Sequence, residues 1–290
     1  MMDKKTKERV IVALKKEREN YPSDARHATA LGLATSVYSA IKNGAVEKQL
    51  SESNWIVLAR RLGVELQKRM PWQVAETPTY VFITEQLTRC QQSSISAILC
   101  DLPNIGKTFT AREYVRTHAN AIYIDCSQCK TKSKLIKAIA KEFGLSVSGR
   151  YADIYDDLAL YLSSIERPLI VLDEAGDLQY EAFLELKALW NATERSCAWY
   201  MMGADGLRAK INRSIENQKV GYTEMLSRYG DVYSRVTPED GRERDRFLKG
   251  QAGMVAQANV AKGTDVRAIV NLAGGSLRRV YTEIEKIVSQ

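Results

Sequence analysis

The sequence predicts an α/β fold with a doubly wound parallel sheet, set between an all-helical segment before it and a helical segment after it. Three observations carry this. From residue 94 onward, five short apolar runs alternate with helix-length segments. Several of those runs are apolar without alternation, as strands buried on both faces are. The stretches before residue 71 and after residue 238 show only helical periodicity.

Taken in order, "TKERVIVALKKEREN" places Val10, Ile11 and Leu14 on one side of a first helix, and Tyr21-Pro22 ends it. Ser23-Asp24 offers an N-cap for the next helix. In "SDARHATALGLATSVYSAIKNG", two helices meet at Gly32, with Ala28, Leu31, Leu33, Val37 and Ile41 spaced to pack them together. Asn43-Gly44 closes the second. "LSESNWIVLARRLGV" adds another helix with Trp55, Ile56, Leu58 and Leu62 apolar. Pro71 and Pro78 bracket a linker, and 79–91 leads into the next unit as a short helix. The strands are expected at 94–100, 121–126, 168–173, 197–202 and 231–236. The helices between them are expected at 107–117, 132–144, 152–165, 180–193 and 206–228, the last with a break. Three further helices follow. The division is thus 1–70, 71–93, 94–237 and 238–290.

Bulk properties narrow the class. At 290 residues the chain is long enough for about two domains. Its longest apolar runs fall far short of the roughly 18 residues of a membrane span, and "MMDKKTKERV" has no apolar signal core, so the expectation is a cytoplasmic protein with no membrane partner. Cys126 and Cys129 form one CxxC, but no second pair or suitably spaced histidine completes a zinc set. The five cysteines read as reduced thiols. Net charge is +7, of which residues 1–70 carry +6. A basic segment on a near-neutral body suits a polyanion partner or a solvated helical face.

Chemistry enters at "DLPNIGKTF". It follows a strand and opens a helix, the setting in which backbone N–H groups surround phosphate oxygens. Asp101, Leu102, Pro103, Asn104, Ile105, Gly106, Lys107, Thr108 and Phe109 are therefore the candidate phosphate-binding residues. Lys107 suits the β- and γ-phosphates of ATP, and Thr108 suits Mg2+. One position departs from the pattern G-x-x-x-x-G-K-[ST], and a second from the glycine common within it. Asn104 replaces a common glycine, yet asparagine tolerates left-handed backbone angles. Asp101 replaces the first glycine, and its carboxylate either approaches the anionic ligand or points away where the strand ends. The second signal is "PLIVLDEAGDL", a strand presenting Asp173 and Glu174 at its end, 66 residues after Lys107. Asp173 suits Mg2+, and Glu174 suits polarisation of an attacking water.

The third signal, "AGGSLRRVYTEIE", has a glycine pair opening a helix and Arg278 three residues past Gly275. It is similar to the sensor 2 motif of AAA+ ATPases, and 79–290 resembles an AAA+ module, a five-stranded parallel sheet with a helical lid. The resemblance implies that Arg278 reaches the γ-phosphate and that an arginine near the fifth strand acts on a neighbour's nucleotide. Arg228 is the first choice, with Arg213 and Arg235 as alternatives. It also implies a sensor 1 polar residue after "CAWYMM", where this chain has Gly203, Ala204 and Asp205. With Asp101, that points to a slow, switch-like ATPase. The N-terminal pair looks like the helix-turn-helix of phage repressors, with Thr35, Ser36, Tyr38, Ser39 and Lys42 facing double-stranded DNA, or else like a helical docking domain. Lys130, Lys132 and Lys134 are further candidates for DNA contact, against a solvated helix start.

This domain order resembles the Mu B-type regulators of transposition. The resemblance implies ATP and Mg2+ as cofactors, self-association into an oligomer or helical filament on DNA, recruitment of a transposase, and release on hydrolysis. A helicase-loader ATPase, or a helix-turn-helix repressor with a nucleotide-binding domain, is the alternative.

Overall fold

A computed structural model describes residues 2–64, 66 and 72–288. The expected boundary at 70/71, with Pro71, lies outside the described residues. Four helices form the N-terminal unit: α1 (Lys4–Glu17), α2 (Asp24–Leu31), α3 (Thr35–Lys42) and α4 (Glu52–Arg61). Ser23 caps α2 by accepting from Arg26 N, and Gly32, at φ +71°, ends it. The apolar positions read from the sequence converge here: Val10, Ile11 and Leu14 pack with Ala28, Leu31, Ile41, Trp55 and Leu58, and Tyr38 joins them.

The helix α5 (Pro78–Ser93) leads into the sheet, capped by Thr77 and with proline in its first turn, where a missing N–H costs nothing. Five parallel strands follow: β1 (Ala97–Cys100), β2 (Ala121–Asp125), β3 (Leu169–Asp173), β4 (Ala198–Gly203) and β5 (Tyr233–Ser234), in the order β2-β3-β4-β1-β5. Between them run α6 (Lys107–Thr117), α7 (Lys132–Glu142), α8 (Tyr151–Ser164), α9 (Tyr180–Ala192), α10 (Asp205–Glu216) and α11 (Tyr222–Arg228). The residues of β3 explain the unbroken apolar run. Leu169 and Val171 enter the core under α5 and α6, while Ile170 and Leu172 enter the core under α7 to α11. Successive strand residues point to opposite faces, so a strand covered on both faces needs apolar residues throughout.

The last strand is shorter than the sequence suggests. Asp231 adopts φ +59°, and residues 235–237 leave the sheet to engage the side chain of Asp101. The C-terminal helices are α12 (Gly241–Asn259), α13 (Val266–Ala273) and α14 (Leu277–Val288). They share an apolar core and are pinned to the linker: Gln73 N donates to Asn259 Oδ1 at 2.7 Å, and Thr79 N donates to Gln251 Oε1 at 3.0 Å.

The N-terminal helices lie against the C-terminal ends of α6 and α7. Asn20 Nδ2 donates to Arg116 O at 3.0 Å, and Arg61 pairs with Glu142 at 2.7 Å. Arg26 stacks 4.8 Å from the Tyr161 ring centre. Burial raises the Glu142 carboxyl above its ordinary pKa, with the Arg61 charge acting the other way. Among the described residues, no helix is long and apolar enough to cross a membrane. All five cysteines are buried free thiols.

Candidate nucleotide site

The strand order places the ends of β1 and β3 on either side of β4, so the loop after β1 and the acids after β3 face one cleft at the carboxyl edge of the sheet. Open parallel sheets bind ligands at that edge. A cavity of about 360 Å³ opens there. Pro103, Asn104, Gly106, Lys107, Thr108 and Phe109 line it from the loop, Glu174 and Ala204 from the sheet, and Arg278 from α14. Its volume falls within the usual range of small-molecule sites.

The loop geometry follows from its residues. Asn104 takes φ +62° and Gly106 takes φ +102°, the left-handed angles that asparagine and glycine tolerate best. A side chain at Gly106 would also meet Leu277 at 3.4 Å. Lys107 Nζ donates to the carbonyls of Asp101 at 2.9 Å and Leu102 at 2.6 Å. Burial lowers the Lys107 pKa, while the nearby carboxylates of Asp101, Asp173 and Glu174 oppose that shift. Thr108 Oγ1 donates to Asp173 Oδ2 at 2.6 Å. Glu174, at φ +48°, stands beside them at the cleft mouth, and partial desolvation of its carboxyl followed by the Asp173 charge raises its pKa. The lid joins the loop directly: Leu277 N donates to Asn104 O at 3.0 Å. Gly275, at φ +83°, lets the start of α14 pack closely on α12, since a Cβ there would come within 2.7 Å of Leu248 Cβ.

Several expected site residues lie elsewhere. The Asp101 carboxylate is a correction: it is fully buried and turned away from the cavity. Oδ2 accepts from Val236 N at 2.7 Å and Thr237 N at 2.9 Å, and Oδ1 accepts from Leu102 N at 2.7 Å and from the Thr237 hydroxyl. The chain leaving β5 supplies donors that satisfy this carboxylate, so it has no reason to face an anion. Ile105 is buried, and neither it nor Leu102 lines the cavity. Arg228 lies outside the cavity. Its Nε donates to Asn191 Oδ1 at 2.8 Å and its guanidinium stacks 5.2 Å from the Trp190 ring centre. Arg235 donates to Thr237 and lies 3.8 Å from Asp101. At the end of β4, the cavity is lined by Ala204 rather than a polar side chain.

On α3, Thr35, Ser36 and Ser39 are exposed. Tyr38 is a correction: it is fully buried, its hydroxyl 2.8 Å from His27 Nδ1, and cannot face a DNA groove. Lys42 is held by Asp24 at 2.7 Å. Lys130 pairs with Asp177 at 2.7 Å and Lys132 with Glu185 at 3.1 Å, so both cations are already balanced within the chain.

Sequence reasoning missed the aromatic side of the cleft. Trp72, Tyr80 and Tyr281 line it, with the Trp72 and Tyr281 ring centres 5.1 Å apart. It also missed Tyr123, whose hydroxyl donates to Asp173 Oδ2 at 2.7 Å. Burial, then the Asp173 charge, holds that phenol well above its ordinary pKa, so it stays a donor. The alternation of β2 places Tyr123 on one face of the strand, but only strand order shows that β3 is its neighbour, with Val171 opposite Tyr123 and Asp173 two residues further on, within reach of the hydroxyl.

These residues suit a nucleotide with its metal. A helix N-terminus, a buried lysine and two positive-φ residues make an anion cradle. Thr108 and Asp173 are hard oxygen donors, the type Mg2+ takes. Aromatic rings line the far side of the cleft.

The fold and cleft are those of an open parallel α/β sheet with a phosphate-type loop at its carboxyl edge, and residues 90–211 match the family described as AAA domain. The chain resembles transposition B proteins. It is 26% identical over 209 residues to the Mu-like prophage FluMu DNA transposition protein B of Haemophilus influenzae, covering 70% of this chain and 68% of the relative. It is 26% identical over 159 residues to the ATP-dependent target DNA activator B of Escherichia phage D108, and equally to that of Escherichia phage Mu. Each match covers 54% of this chain and half the length of the phage protein. Among solved structures, the Aeropyrum pernix ORC1 protein in complex with DNA aligns over 75% of this chain and 66% of its own, at 17% identity and a TM-score of 0.47.

Proposed function

We propose that this protein is an ATP-dependent DNA-binding ATPase that assembles on double-stranded target DNA and delivers it to a transposase, with hydrolysis driving release. The observation that carries the reading is the joining of lid to phosphate loop. Leu277 N is bonded to Asn104 O, and Arg278 lines the same cavity as Lys107 and Thr108. A ligand entering this cleft meets loop, sheet and lid at once, the arrangement needed for a nucleotide to control a larger conformational state. The names of the relatives support DNA and transposition as the output.

The working division is an N-terminal unit at 1–70, a linker at 71–93, a core at 94–237 and a lid at 238–290. Lys107 exchanges its carbonyl partners at 101 and 102 for phosphate oxygens. Thr108 and Asp173 hold Mg2+, which when bound neutralises charge on the phosphates. Glu174 orients and polarises the attacking water. Arg278 reports the state of the cleft to the lid. Ala204 offers no hydrogen bond from the sensor 1 position, which supports slow turnover. A neighbouring copy supplies an arginine, and copies related by a repeated head-to-tail contact form a ring or filament. The exposed hydroxyls of Thr35, Ser36 and Ser39 contact phosphates more readily than they read bases, so binding has weak sequence preference.

The test is DNA binding with and without ATP, on the full chain. Binding that requires ATP, lengthens with the DNA and disappears in Lys107→Ala supports the proposal. Sequence-specific binding indifferent to ATP refutes it.

A further inference from the structure

A second concave site lies outside the nucleotide cleft, between the start of α9 and the end of α10. It has a volume of about 510 Å³, and Lys210, Arg213, Lys219, Asn217, Tyr180 and Tyr222 line it. Among the described residues no carboxylate lines it.

Its cations differ from those after β2. Lys130 and Lys132 are each paired with an acid, whereas neither Arg213 nor Lys219 makes an ion pair among the described residues. Both are exposed. Lys219 Nζ lies 5.9 Å from the ring centre of Tyr180, which stacks on Tyr222 with centres 6.0 Å apart. The Tyr180 hydroxyl donates to Val220 O at 3.0 Å and holds the 217–221 turn against α9. Lys210 is fixed differently: its Nζ donates to the carbonyls of Gly176 and Leu178. Those carbonyls belong to the segment directly after Asp173 and Glu174, so the back of this site is the same turn that carries the acids of the nucleotide cleft. Burial lowers the Lys210 pKa; the Asp177 charge opposes this, and the Lys219 charge adds to it.

We infer that this pocket binds the phosphodiester backbone of DNA, with Arg213 and Lys219 as the phosphate contacts. Two unbalanced cations in a concavity without acids attract a polyanion and release its counterions. The stacked tyrosines present an apolar, hydroxyl-edged wall that suits a sugar–phosphate chain. Asn217 adds a neutral donor. The site reads no base edge, in keeping with weak sequence preference. The inference rests on the DNA-binding reading and goes beyond it by moving the contact from Lys130 and Lys132 to α10 and its following turn.

The experiment measures DNA affinity of the full chain with ATP across a salt series, comparing wild type with Arg213→Gln/Lys219→Gln, with the charge-keeping Arg213→Lys/Lys219→Arg, and with Lys130→Gln/Lys132→Gln. Each phosphate contact contributes about 0.9 to the slope of log affinity against log salt, or roughly tenfold in affinity near 0.1 M. The expected result is a slope lower by about 2 in the glutamine pair at 213 and 219, recovery in the charge-keeping pair, and little change at 130 and 132. ATP binding, followed with a fluorescent nucleotide, stays at the wild-type value. An unchanged slope in the glutamine pair overturns the inference and leaves the DNA-binding reading standing. Loss of ATP turnover with unchanged slope also overturns it, placing Arg213 at a neighbour's nucleotide. Absence of ATP-dependent DNA binding in the wild type defeats the reading itself, and the pocket with it.

Discussion

Replacing Asp101 by glycine restores the residue that the phosphate-loop pattern expects, and the structure says that this harms the protein. The carboxylate accepts from the main-chain N–H groups of 236, 237 and 102 and from the Thr237 hydroxyl, with Arg235 3.8 Å away. Glycine leaves the donors from the β5 exit without an acceptor in a buried place. Hydrogen bonds to a charged group contribute about 1.5–3 kcal/mol each, but four bonds to one carboxylate do not add independently. The loss expected for removing one partner from a buried charged network is about 3–5 kcal/mol. At roughly 2–4 °C per kcal/mol for a domain of this size, the melting temperature falls by about 6 °C or more. Affinity for ATP does not rise, because the carboxylate does not face the phosphates. Thermal unfolding and fluorescent-nucleotide titration of Asp101→Gly measure both. Tighter ATP binding with an unchanged melting temperature would refute the reasoning.

Glu174→Gln is expected to keep ATP binding and to trap the protein on DNA; faster dissociation from DNA in ATP counts against its role on water. Tyr123→Phe removes one of the two hydroxyl donors to Asp173 Oδ2 while keeping the ring, so Mg2+ dependence of nucleotide binding shifts to higher concentration with little change in melting temperature. Trp72→Ala weakens nucleotide binding by removing an aromatic wall of the cleft, about 1 kcal/mol or more; unchanged affinity shows that the nucleotide lies elsewhere. The Glu142 carboxyl has a raised folded-state pKa, so its contribution to stability is fully present below the ordinary carboxylate pKa and is lost as pH rises through the raised value. The wild type therefore loses stability relative to Glu142→Gln across that window, as paired melting curves from pH 4 upward would reveal.

Local pattern was enough to find the strands and most of the helices, because apolar periodicity is a local consequence of burial. It was enough to bring Lys107, Thr108, Asp173 and Glu174 to one end of the sheet as well, since each stands at a fixed offset from a strand end. Arg278 was legible from the glycine pair before it. The charged residues were harder to assign. Lys42, Lys130 and Lys132 look alike in sequence to Arg213 and Lys219, yet the first three have acids from other elements against them and the last two do not. Tyr38 has the spacing of an outward residue and the environment of a core one, because His27 packs beneath it.

By itself, then, the sequence determined which segments are strands and helices and where the glycine-lysine-threonine loop and the strand-end acids stand, since both depend on spacing along one stretch of chain. The tertiary structure alone decided the direction of Asp101, the partner of Tyr123 and the aromatic wall from Trp72 to Tyr281. Each depends on groups brought from far along the chain, 135 residues in the case of Asp101 and Val236, and only strand order and lid packing set those meetings.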